Sequence, residues 1–303
     1  MKKTSVVIVN YNVRERILTC LRTLYAFHPE EDPEVIVVDN QSSDGSVEAI
    51  RNEFPQVILI ANTTNAGFPK ANNQGFEIAT GDYIFMLNPD TEFIQPAISS
   101  LRMYLDAHPE YAFVAPKLLN TDRSIQGSIW RYPTLTSVFC ESFYLRAFLK
   151  KKNYADKDRD QVFEVETCSG AAIYFRKSLL ERIGNLDETM FWIEDVEFCF
   201  RANHAGEKGV YLPEAQIVHH IGQSAKKNYN ISLSNQVFNK IKFFGKHHGV
   251  IQTNLVKLIS LIHVLYKILV FGLLSPLKVT YWRKFKAYCY TLPKVFNPPK
   301  GIA

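Results

Sequence analysis

Short apolar runs of strand length alternate with segments of helical spacing through the first part of the chain. Runs rich in Val, Ile, Leu and Phe are typical of parallel strands that are buried on both faces. The predicted strands are 5–9, 34–39, 57–61, 83–87 and 112–119. Apolar residues at every third or fourth position predict helices over 14–27, 69–79 and 96–108. Such alternation predicts an α/β protein with a doubly wound, mostly parallel sheet flanked by helices.

The alternation is interrupted in the middle of the chain. Residues 124–157 show neither pattern, and we predict a mobile insertion there. Order returns over 165–175, followed by a helix over 195–204 and a last short strand over 217–220. Small residues at Gly170 and Ala171 interrupt the first of these segments, which would let a bulky ligand approach the backbone closely.

The C-terminal part differs from the rest in charge. Residues 215–303 contain thirteen Lys or Arg and no Asp or Glu, whereas the whole chain carries a net charge of only +5. We therefore predict a globular domain over 1–225 and a basic helical region over 226–303. A basic region favours an anionic partner. Nucleic acid is not expected, because no recognition motif accompanies the charge.

Residues 255–274 are mostly apolar and long enough to span a bilayer. The polar residues in and beside this stretch share one helical face and are Asn254, Lys257, Ser260, His263 and Lys267. Because charges are costly in a spanning helix, we expect an amphipathic helix on an anionic membrane surface, with its lysines among the headgroups. Packing on the protein itself, a homodimer contact and a spanning helix remain alternatives.

Composition and cysteine usage favour a cytoplasmic globular protein. The chain is 47 % hydrophobic and 21 % charged, and its five cysteines show no CxxC spacing. An odd, scattered set favours a reducing compartment over a disulfide framework or a zinc site. The first apolar run is too short for a signal peptide. We therefore expect a cytoplasmic protein, peripheral on the inner face of the cytoplasmic membrane.

Carboxylates follow two of the predicted strands. Asp39 ends one strand, and Asp90 follows another in the sequence Asn88-Pro89-Asp90. In open α/β sheets, ligands bind beyond the carboxyl ends of the strands. Mg²⁺ is often held by one or two carboxylates together with substrate phosphates. Asp90 is therefore a candidate anchor for a metal–diphosphate group, although an Asp in an ordinary turn gives the same pattern.

Seven motifs, in this order, resemble those of the family 2 glycosyltransferases of GT-A fold, and in particular the bacterial rhamnosyltransferases. They are Val9-Asn10-Tyr11-Asn12, the stretch 38–46, the stretch 65–75, Leu87-Asn88-Pro89-Asp90, Ser169-Gly170-Ala171-Ala172, Glu194-Asp195 and the stretch 219–224. The resemblance implies a GT-A fold and an inverting transfer that depends on Mg²⁺ or Mn²⁺. The implied donor is a UDP- or dTDP-linked sugar such as dTDP-L-rhamnose. The implied acceptor is a hydroxyl of a glycan or lipid-linked molecule in cell-surface polysaccharide synthesis.

The resemblance also implies which residues bind the nucleotide. Asp39 would accept a hydrogen bond from the imide of a pyrimidine base, a charge-assisted bond. The other expected nucleotide-binding residues are Asn10, Tyr11, Asp44 and Asn88. Lys70 and Asn73 open a predicted helix whose N-terminus favours the diphosphate or the ribose, and a solvated lysine is an alternative for Lys70. Turn chemistry is an equal alternative for Asp44. Asn88 stands where the family often has the first acid of its metal motif.

The remaining expected site residues concern the metal and the reaction. Asp195 corresponds to the general base, and Glu194 would position the acceptor or the sugar. Gly170, Ala171 and Trp192 would contact the acceptor or the sugar, and a tryptophan packed in the core is the alternative for Trp192. The expected metal ligands are Asp90 and either His219 or His220, between which the sequence does not decide.

Two other functions remain open on the sequence. A nucleotidyltransferase also places carboxylates at strand ends, but it would have no need for the Glu194-Asp195 pair. A catalytically silent sugar-binding or scaffold subunit of a glycan assembly complex is the alternative of another class, and Asn88, in the place of an acid, leaves it open.

Overall fold

A computed structural model describes residues 3–145, 154, 156–190, 192–220 and 229–296. The chain forms two compact units. The first, here called the sheet unit, comprises Met1–Tyr132, Asn153–Glu188 and Glu194–Ile221. The second, the helical unit, comprises Pro133–Lys152, Thr189–Ile193 and Gly222–Ala303. The predicted domain boundary at residue 225 lies outside the described residues.

The described part of the sheet unit contains one nine-stranded sheet and a small two-stranded sheet. The strands are β1 Thr4–Asn10, β2 Glu34–Asp39, β3 Ile58–Ala61, β4 Tyr83–Leu87, β5 Thr91–Phe93, β6 Tyr111–Leu119, β7 Ile129–Trp130, β8 Phe163–Val165, β9 Thr167–Cys168, β10 Ala172–Arg176 and β11 Lys208–His219. The large sheet has the order β3-β2-β1-β4-β10-β6-β11-β5, and β8 pairs with β11. Strands β3, β2, β1 and β4 are mutually parallel, as the sequence predicts.

Helices cover both faces of the sheet. They are α1 Arg14–Phe27, α2 Ser46–Glu53, α3 Phe68–Ile78, α4 Ala97–Ala107, α6 Ser178–Ile183 and α7 Glu194–His204. Successive residues of β1 enter different cores, because side chains alternate between the faces of a strand. Val6 and Ile8 pack in the core that contains Leu21 of α1. Val7 packs in the opposite core with Phe76 of α3. The α/β fold class is confirmed.

Three details differ from the sequence-based prediction. Strand β10 runs antiparallel between β4 and β6, so the parallel order stops at β4. Strand β11 has twelve residues and is not short. Part of the predicted insertion is regular, since β7 pairs with β9 and a further helix, α5 Leu135–Ser142, begins after a capping box at Thr134. Residues 146–153 of that segment lie outside the described residues.

The helical unit contains α5 and three further helices, α8 Tyr229–His247, α9 Gly249–Leu274 and α10 Val279–Phe296. Helix α9 packs against α5, α8 and α10. Its buried residues include Ser260 and Lys267, so the polar stripe faces inward there. The expectation that Lys267 reaches membrane headgroups is therefore wrong. In the described part of the chain, α9 alone is long and apolar enough to cross a membrane, and only 22 % of its most apolar 18-residue stretch is buried.

Candidate functional site

Strand register places several of the expected site residues at one edge of the sheet. Asn10 at the end of β1 pairs with Asp39 at the end of β2, and β4 runs parallel beside β1. Residues 88–90 follow β4 at this same edge. Because β10 is antiparallel to β4, it begins where β4 ends, with Ala172 opposite Leu87. We call this region the carboxyl edge, and it brings Gly170 and Ala171 beside Asn88.

Asp39 and Asn10 form a buried pair at this edge. Asn10 Nδ2 donates to Asp39 Oδ2 at 2.7 Å, and the N–H of Ser42 donates to Asp39 Oδ1 at 2.8 Å. Asp39 is 1 % exposed and Asn10 is fully buried. Among the described residues, the buried Oδ1 of Asn10 has no hydrogen-bond partner. Since buried acceptors are normally satisfied, this oxygen is a point at which a ligand donor would be favourable.

The neighbouring turn positions Tyr11 and Asp44 differently. Tyr11 follows β1 and is exposed, so its ring is accessible to a ligand. Asp44 accepts hydrogen bonds from the N–H groups of Arg14 and Ser46, at the starts of α1 and α2. These bonds account for Asp44 as a turn residue, and the structure gives no separate support for its role as a nucleotide ligand.

Lys70 and Asn73 lie on α3, but their side chains have different environments. Lys70 is exposed in the first turn of the helix. Asn73 is buried, donates to Leu186 O at 2.9 Å and accepts from the Leu186 N–H at 3.0 Å. It also donates to Glu188 Oε1 at 3.2 Å. Asn73 therefore fastens the 186–188 segment to α3, and this geometry does not favour the expected nucleotide contact.

Asp90 and His219 face each other at the carboxyl edge. His219 Nε2 lies 3.2 Å from Asp90 Oδ1, because the end of β11 pairs with β5 directly after Asp90. On its other side, His219 Nδ1 lies 2.8 Å from Gln126 Oε1. His220 points elsewhere, with Nε2 3.0 Å from Glu92 Oε2 and Nδ1 3.2 Å from Thr121 Oγ1. The geometry therefore favours His219 over His220 as the partner of Asp90.

Gln126 is a site residue that sequence reasoning missed. It lies in the segment interpreted as an insertion, and its side chain is 5 % exposed. A lone Gln in an irregular segment has no motif by which it could have been recognised. Only the pairing of the 126 region with the ends of β6 and β11 reveals it, through the contacts of Gln126 with Leu118 O and His219.

Asn88 links β4 to the segment before β10. Its N–H donates to Ala171 O at 2.9 Å, which brings both residues into the edge where the sequence predicts them. The buried Oδ1 of Asn88 has no hydrogen-bond partner among the described residues. Asn88 therefore offers a second acceptor beside Asp90, in the position where an acid was expected.

Asp195 is held at the start of α7 by two backbone donors. The N–H of Gly170 donates to Oδ2 and the N–H of Val196 donates to Oδ1, both at 2.7 Å. Burial raises the pKa of Asp195 to about 6, and these two hydrogen bonds oppose that shift. A base of this pKa is mostly ionised near neutral pH and can still accept a proton. The preceding Glu194 is also buried.

Trp192 belongs to the segment grouped with the helical unit. It adopts a φ of 78° and its side chain is exposed. A positive φ is uncommon for a bulky residue and is often associated with functional sites. Its expected contact with a sugar ring stays a prediction.

The residues at the carboxyl edge fit a divalent cation bound together with a diphosphate. Among the described residues, no three His, Cys, Asp or Glu side chains converge as a ready metal site. Asp90 and His219 do place one carboxylate oxygen and one imidazole nitrogen together. Two protein ligands suffice when substrate oxygens supply the others. A separate cavity of about 500 Å³ contains none of these residues and is lined by Ile94, Lys117, Leu119, Arg123, Ile125 and Gln216.

Two solved glycosyltransferase structures have the same fold as this chain. The mannosyltransferase PcManGT from Pyrobaculum calidifontis, solved with GDP-Man and Mn²⁺, aligns with a TM-score of 0.59 and 17 % identity. That alignment covers 99 % of this chain and 88 % of the other. GalNAc-T7, solved with UDP, GalNAc and Mn²⁺, aligns with a TM-score of 0.57 and 14 % identity over 80 % of this chain and 50 % of the other. The fold is therefore the GT-A fold.

Sequence comparison identifies the family. Residues 5–184 match the family described as "Glycosyl transferase family 2", so the chain belongs to that family. The N-acetylglucosaminyl-diphospho-decaprenol L-rhamnosyltransferase of Mycobacterium tuberculosis is 26 % identical over 74 % of this chain and 78 % of its own length. Rhamnosyltransferase WbbL of Escherichia coli is 21 % identical over 85 % of this chain and 98 % of its own length. The protein is therefore a family 2 glycosyltransferase, as the sequence motifs predict.

Proposed function

We propose that this glycosyltransferase moves a sugar, with inversion, from a pyrimidine nucleotide diphosphate to a hydroxyl of a lipid-linked glycan. Rhamnose from dTDP-L-rhamnose is the favoured donor sugar, and a UDP-sugar is the alternative. Rhamnosyltransferases among the relatives support the donor, and the decaprenol-linked acceptor in the name of one relative supports the acceptor. The Asp195 carboxylate, fixed beside Gly170 at the carboxyl edge, is the observation on which the proposed reaction rests.

In this reaction Asp195 accepts the proton of the acceptor hydroxyl as that oxygen attacks the anomeric carbon. The bond from that carbon to the diphosphate breaks on the opposite face, which inverts the configuration. The N–H groups of Gly170 and Val196 hold the carboxylate in place, so little reorganisation accompanies proton transfer. Glu194 is expected to position the acceptor or the sugar.

The nucleotide would lie along the strand ends. Asp39 and the unpaired Oδ1 of Asn10 would receive donors from the base or ribose. Tyr11 would flank the base, and the exposed Lys70 would approach the diphosphate at the start of α3, where backbone N–H groups favour anions. Mg²⁺ or Mn²⁺ held by Asp90 and His219 would neutralise the charge of the departing diphosphate.

We also propose that the enzyme acts in the cytoplasm, on the inner face of the cytoplasmic membrane. A lipid-linked acceptor is confined to the bilayer, so an enzyme held at that surface meets it at high local concentration. The basic composition of residues 215–303 supports this location.

The test of the proposed reaction is Asp195→Asn in the full chain. Loss of the general base should lower kcat by about 10²–10⁴-fold, while the affinity for the nucleotide donor stays within error. Glu181→Gln, which changes an exposed carboxylate on α6, is the matched control and should keep full activity. Sugar transfer from dTDP-L-rhamnose that survives in Asp195→Asn would disprove the assignment of the base.

A further inference from the structure

One face of α9 exposes a continuous row of apolar side chains. They recur at intervals of three or four residues and are Ile251, Leu255, Leu258, Ile262, Leu265, Leu269 and Leu273. Residues at this spacing lie on one side of a helix. Their exposure ranges from 41 % at Leu255 to 79 % at Ile251. Apolar strips of this length are rare on monomeric soluble proteins unless they bind something.

The opposite face of α9 is anchored inside the helical unit by polar contacts. Lys267 is 7 % exposed, and its Nζ lies 4.1 Å from the centre of the Tyr144 ring. His263 donates from Nδ1 to Ser142 O at 2.6 Å. The helix could not turn its apolar row inward without losing these contacts. The exposed row is therefore a fixed feature of the helical unit.

The charge of residues 215–303 indicates which partner covers this row. No acidic residue occurs between 215 and 303. Exposed cationic residues include Lys257 on α9 and Lys286 on α10, and Lys286 Nζ lies 5.0 Å from the ring of the exposed Trp282. A second copy of the chain would bring an equally cationic surface, which charge repulsion disfavours. An anionic lipid surface supplies both a complementary charge and an apolar interior, and Trp side chains are enriched at its interface.

From these observations we infer that the apolar row of α9, with the basic and aromatic residues of α10, is the surface that docks the enzyme on an anionic lipid bilayer. In this arrangement α9 lies in the plane of the membrane with Leu258, Ile262 and Leu265 entering the acyl region. Lys267 contributes from inside by fixing the helix, and the exposed lysines contribute by contacting headgroups. The inference extends the proposed membrane location and does not depend on the identity of the sugar.

The experiment is flotation of the full chain with vesicles of phosphatidylcholine alone or with phosphatidylglycerol. We expect strong flotation with phosphatidylglycerol, weakened by salt, and at least tenfold weaker binding for Leu265→Gln/Leu269→Gln. The matched control is Ile78→Gln/Met103→Gln, two similarly exposed apolar residues of the sheet unit, which should bind as the native chain does.

Two results would overturn the inference. One is unchanged flotation of Leu265→Gln/Leu269→Gln. The other is a lipid-free dimer, seen by analytical ultracentrifugation, that this variant converts to a monomer, because the row would then be a self-association surface. Release of nucleotide diphosphate from the donor is measured in parallel. If the native chain releases no nucleotide diphosphate, the proposed reaction is wrong. If Leu265→Gln/Leu269→Gln keeps this release but no longer floats with the vesicles, the docking surface is supported.

A different observation concerns Gln126 and the tautomer of His219. Gln126 Nε2 donates to His219 O at 3.0 Å and to Asn120 Oδ1 at 3.1 Å. Because a carbonyl oxygen only accepts, the orientation of the Gln126 amide is fixed, and its Oε1 must face His219 Nδ1. Nδ1 therefore carries a hydrogen, and in the neutral ring the lone pair is on Nε2.

In the neutral form of this tautomer, two hydrogen-bond acceptors face each other. The lone pair of His219 Nε2 faces Asp90 Oδ1 across 3.2 Å. Two acceptors at this distance repel each other unless a proton on Nε2 or a metal ion lies between them. Outer hydrogen bonds of this kind orient the metal-binding histidines of many proteins. We propose that Gln126 is a positioning residue that presents Nε2 of His219 to a divalent cation shared with Asp90.

The test compares two variants of Gln126 in the full chain. Gln126→Glu keeps an acceptor for Nδ1, whereas Gln126→Met removes it at similar volume. Mn²⁺ binding is followed by electron paramagnetic resonance in the presence of dTDP, with the nitrogen coupling read from spin-echo modulation. We expect nitrogen coupling in the native chain and in Gln126→Glu. In Gln126→Met we expect its loss, together with about 10–100-fold weaker Mn²⁺ affinity.

Two outcomes would contradict this role. Gln126→Met could retain both the affinity and the nitrogen coupling, or the coupling could persist in His219→Ala and vanish in His220→Ala. Because this proposal rests on the proposed metal dependence, the native chain is measured first. If the native chain does not bind Mn²⁺ with dTDP, the proposed metal dependence and the proposed role of Gln126 are both wrong. If the native chain binds Mn²⁺ and Gln126→Met binds it equally well, only the role of Gln126 is wrong.

Discussion

At the residue scale, the environment of Asp195 determines how the enzyme should respond to pH. Burial raises the pKa of this acid to about 6 despite the N–H groups of Gly170 and Val196. A general base must be ionised, so kcat/KM should fall as pH drops through that value. We expect half of the maximal rate near pH 6 and about a tenfold loss for each further unit. The measurement is the pH profile of sugar transfer, with unfolding followed at each pH as a control. A flat profile between pH 5 and 8 would exclude Asp195 as the base.

Removal of the side chain should affect stability at one polar residue of α3 and nucleotide affinity at another. Asn73 makes three buried or partly buried hydrogen bonds to the 186–188 segment. Asn73→Ala should therefore lower the free energy of unfolding by about 2–3 kcal/mol without a specific loss of donor affinity. Lys70→Ala should leave stability within about 0.5 kcal/mol, because Lys70 is exposed, but should weaken nucleotide binding.

Denaturant unfolding and calorimetric titration with dTDP distinguish these effects. If Asn73→Ala remains stable but loses affinity, Asn73 is a nucleotide ligand after all, as the sequence resemblance implied.

Individual site residues were predictable where a strand end gave them a position. Asp39 and Asp90 could be proposed from the sequence because each stands at the end of a predicted strand, whereas Asp195 was proposed from the resemblance of Glu194-Asp195 to a family motif. The roles of all three stay predictions. The choice between His219 and His220 could not be made, since it depends on which face of β11 meets Asp90. That face is set by the pairing of His219 with Thr91 in β5, a short strand that no apolar run predicts.

At the scale of elements, the packing of α3 against β1 depends on Gly75. A Cβ added at Gly75 would lie 2.3 Å from Val7 Cγ1, so the helix approaches the strand too closely for any side chain. Alanine would gain about 1 kcal/mol in helix propensity, but overpacking costs about 1–3 kcal/mol. Gly75→Ala should therefore destabilise the sheet unit, as measured by denaturant unfolding.

Gly245 in α8 provides the matched comparison. A Cβ at Gly245 would come no closer than 3.8 Å to Thr253, an ordinary contact. Gly245→Ala should therefore stabilise the helical unit by up to about 1 kcal/mol. Equal effects of the two substitutions would show that helix propensity, and not close packing, decides both.

Periodicity predicted the type of most elements but not their partners. An apolar run indicates a buried strand without showing its direction, so the antiparallel position of β10 between β4 and β6 was not predictable. Similarly, the stripe of polar residues in α9 showed two faces but not which one is inside. The rings of Tyr144 and Phe271 surround the Lys267 ammonium with aromatic faces, which makes the polar stripe the buried one there.

At the scale of the whole molecule, the two units differ in charge and in what they can bind. The negatively charged part of the chain carries the carboxylates of the carboxyl edge, and the basic part from 215 onward is suited to an anionic surface. The charge asymmetry was visible in the sequence. The inclusion of α5 and of 189–193 in the helical unit was not, because contact between segments far apart in the chain has no local signal.

Ligand binding should stabilise the sheet unit in a manner that identifies the nucleotide. Asp39 can accept a hydrogen bond from the imide N–H of thymine or uracil, and a metal ion held by Asp90 and His219, as proposed, would need diphosphate oxygens as further ligands. dTDP or UDP with Mn²⁺ should therefore raise Tm more than either component alone. At a nucleotide concentration of about 100 Kd the stabilisation is about 2.7 kcal/mol, which corresponds to a rise in Tm of about 5–11 °C for a unit of this size. The measurement is thermal unfolding of the full chain with a tryptophan-independent probe, so that both units are followed. Asp90→Asn should abolish the part of the Tm shift that depends on Mn²⁺. An identical Tm shift with GDP would show that Asp39 does not select a pyrimidine base.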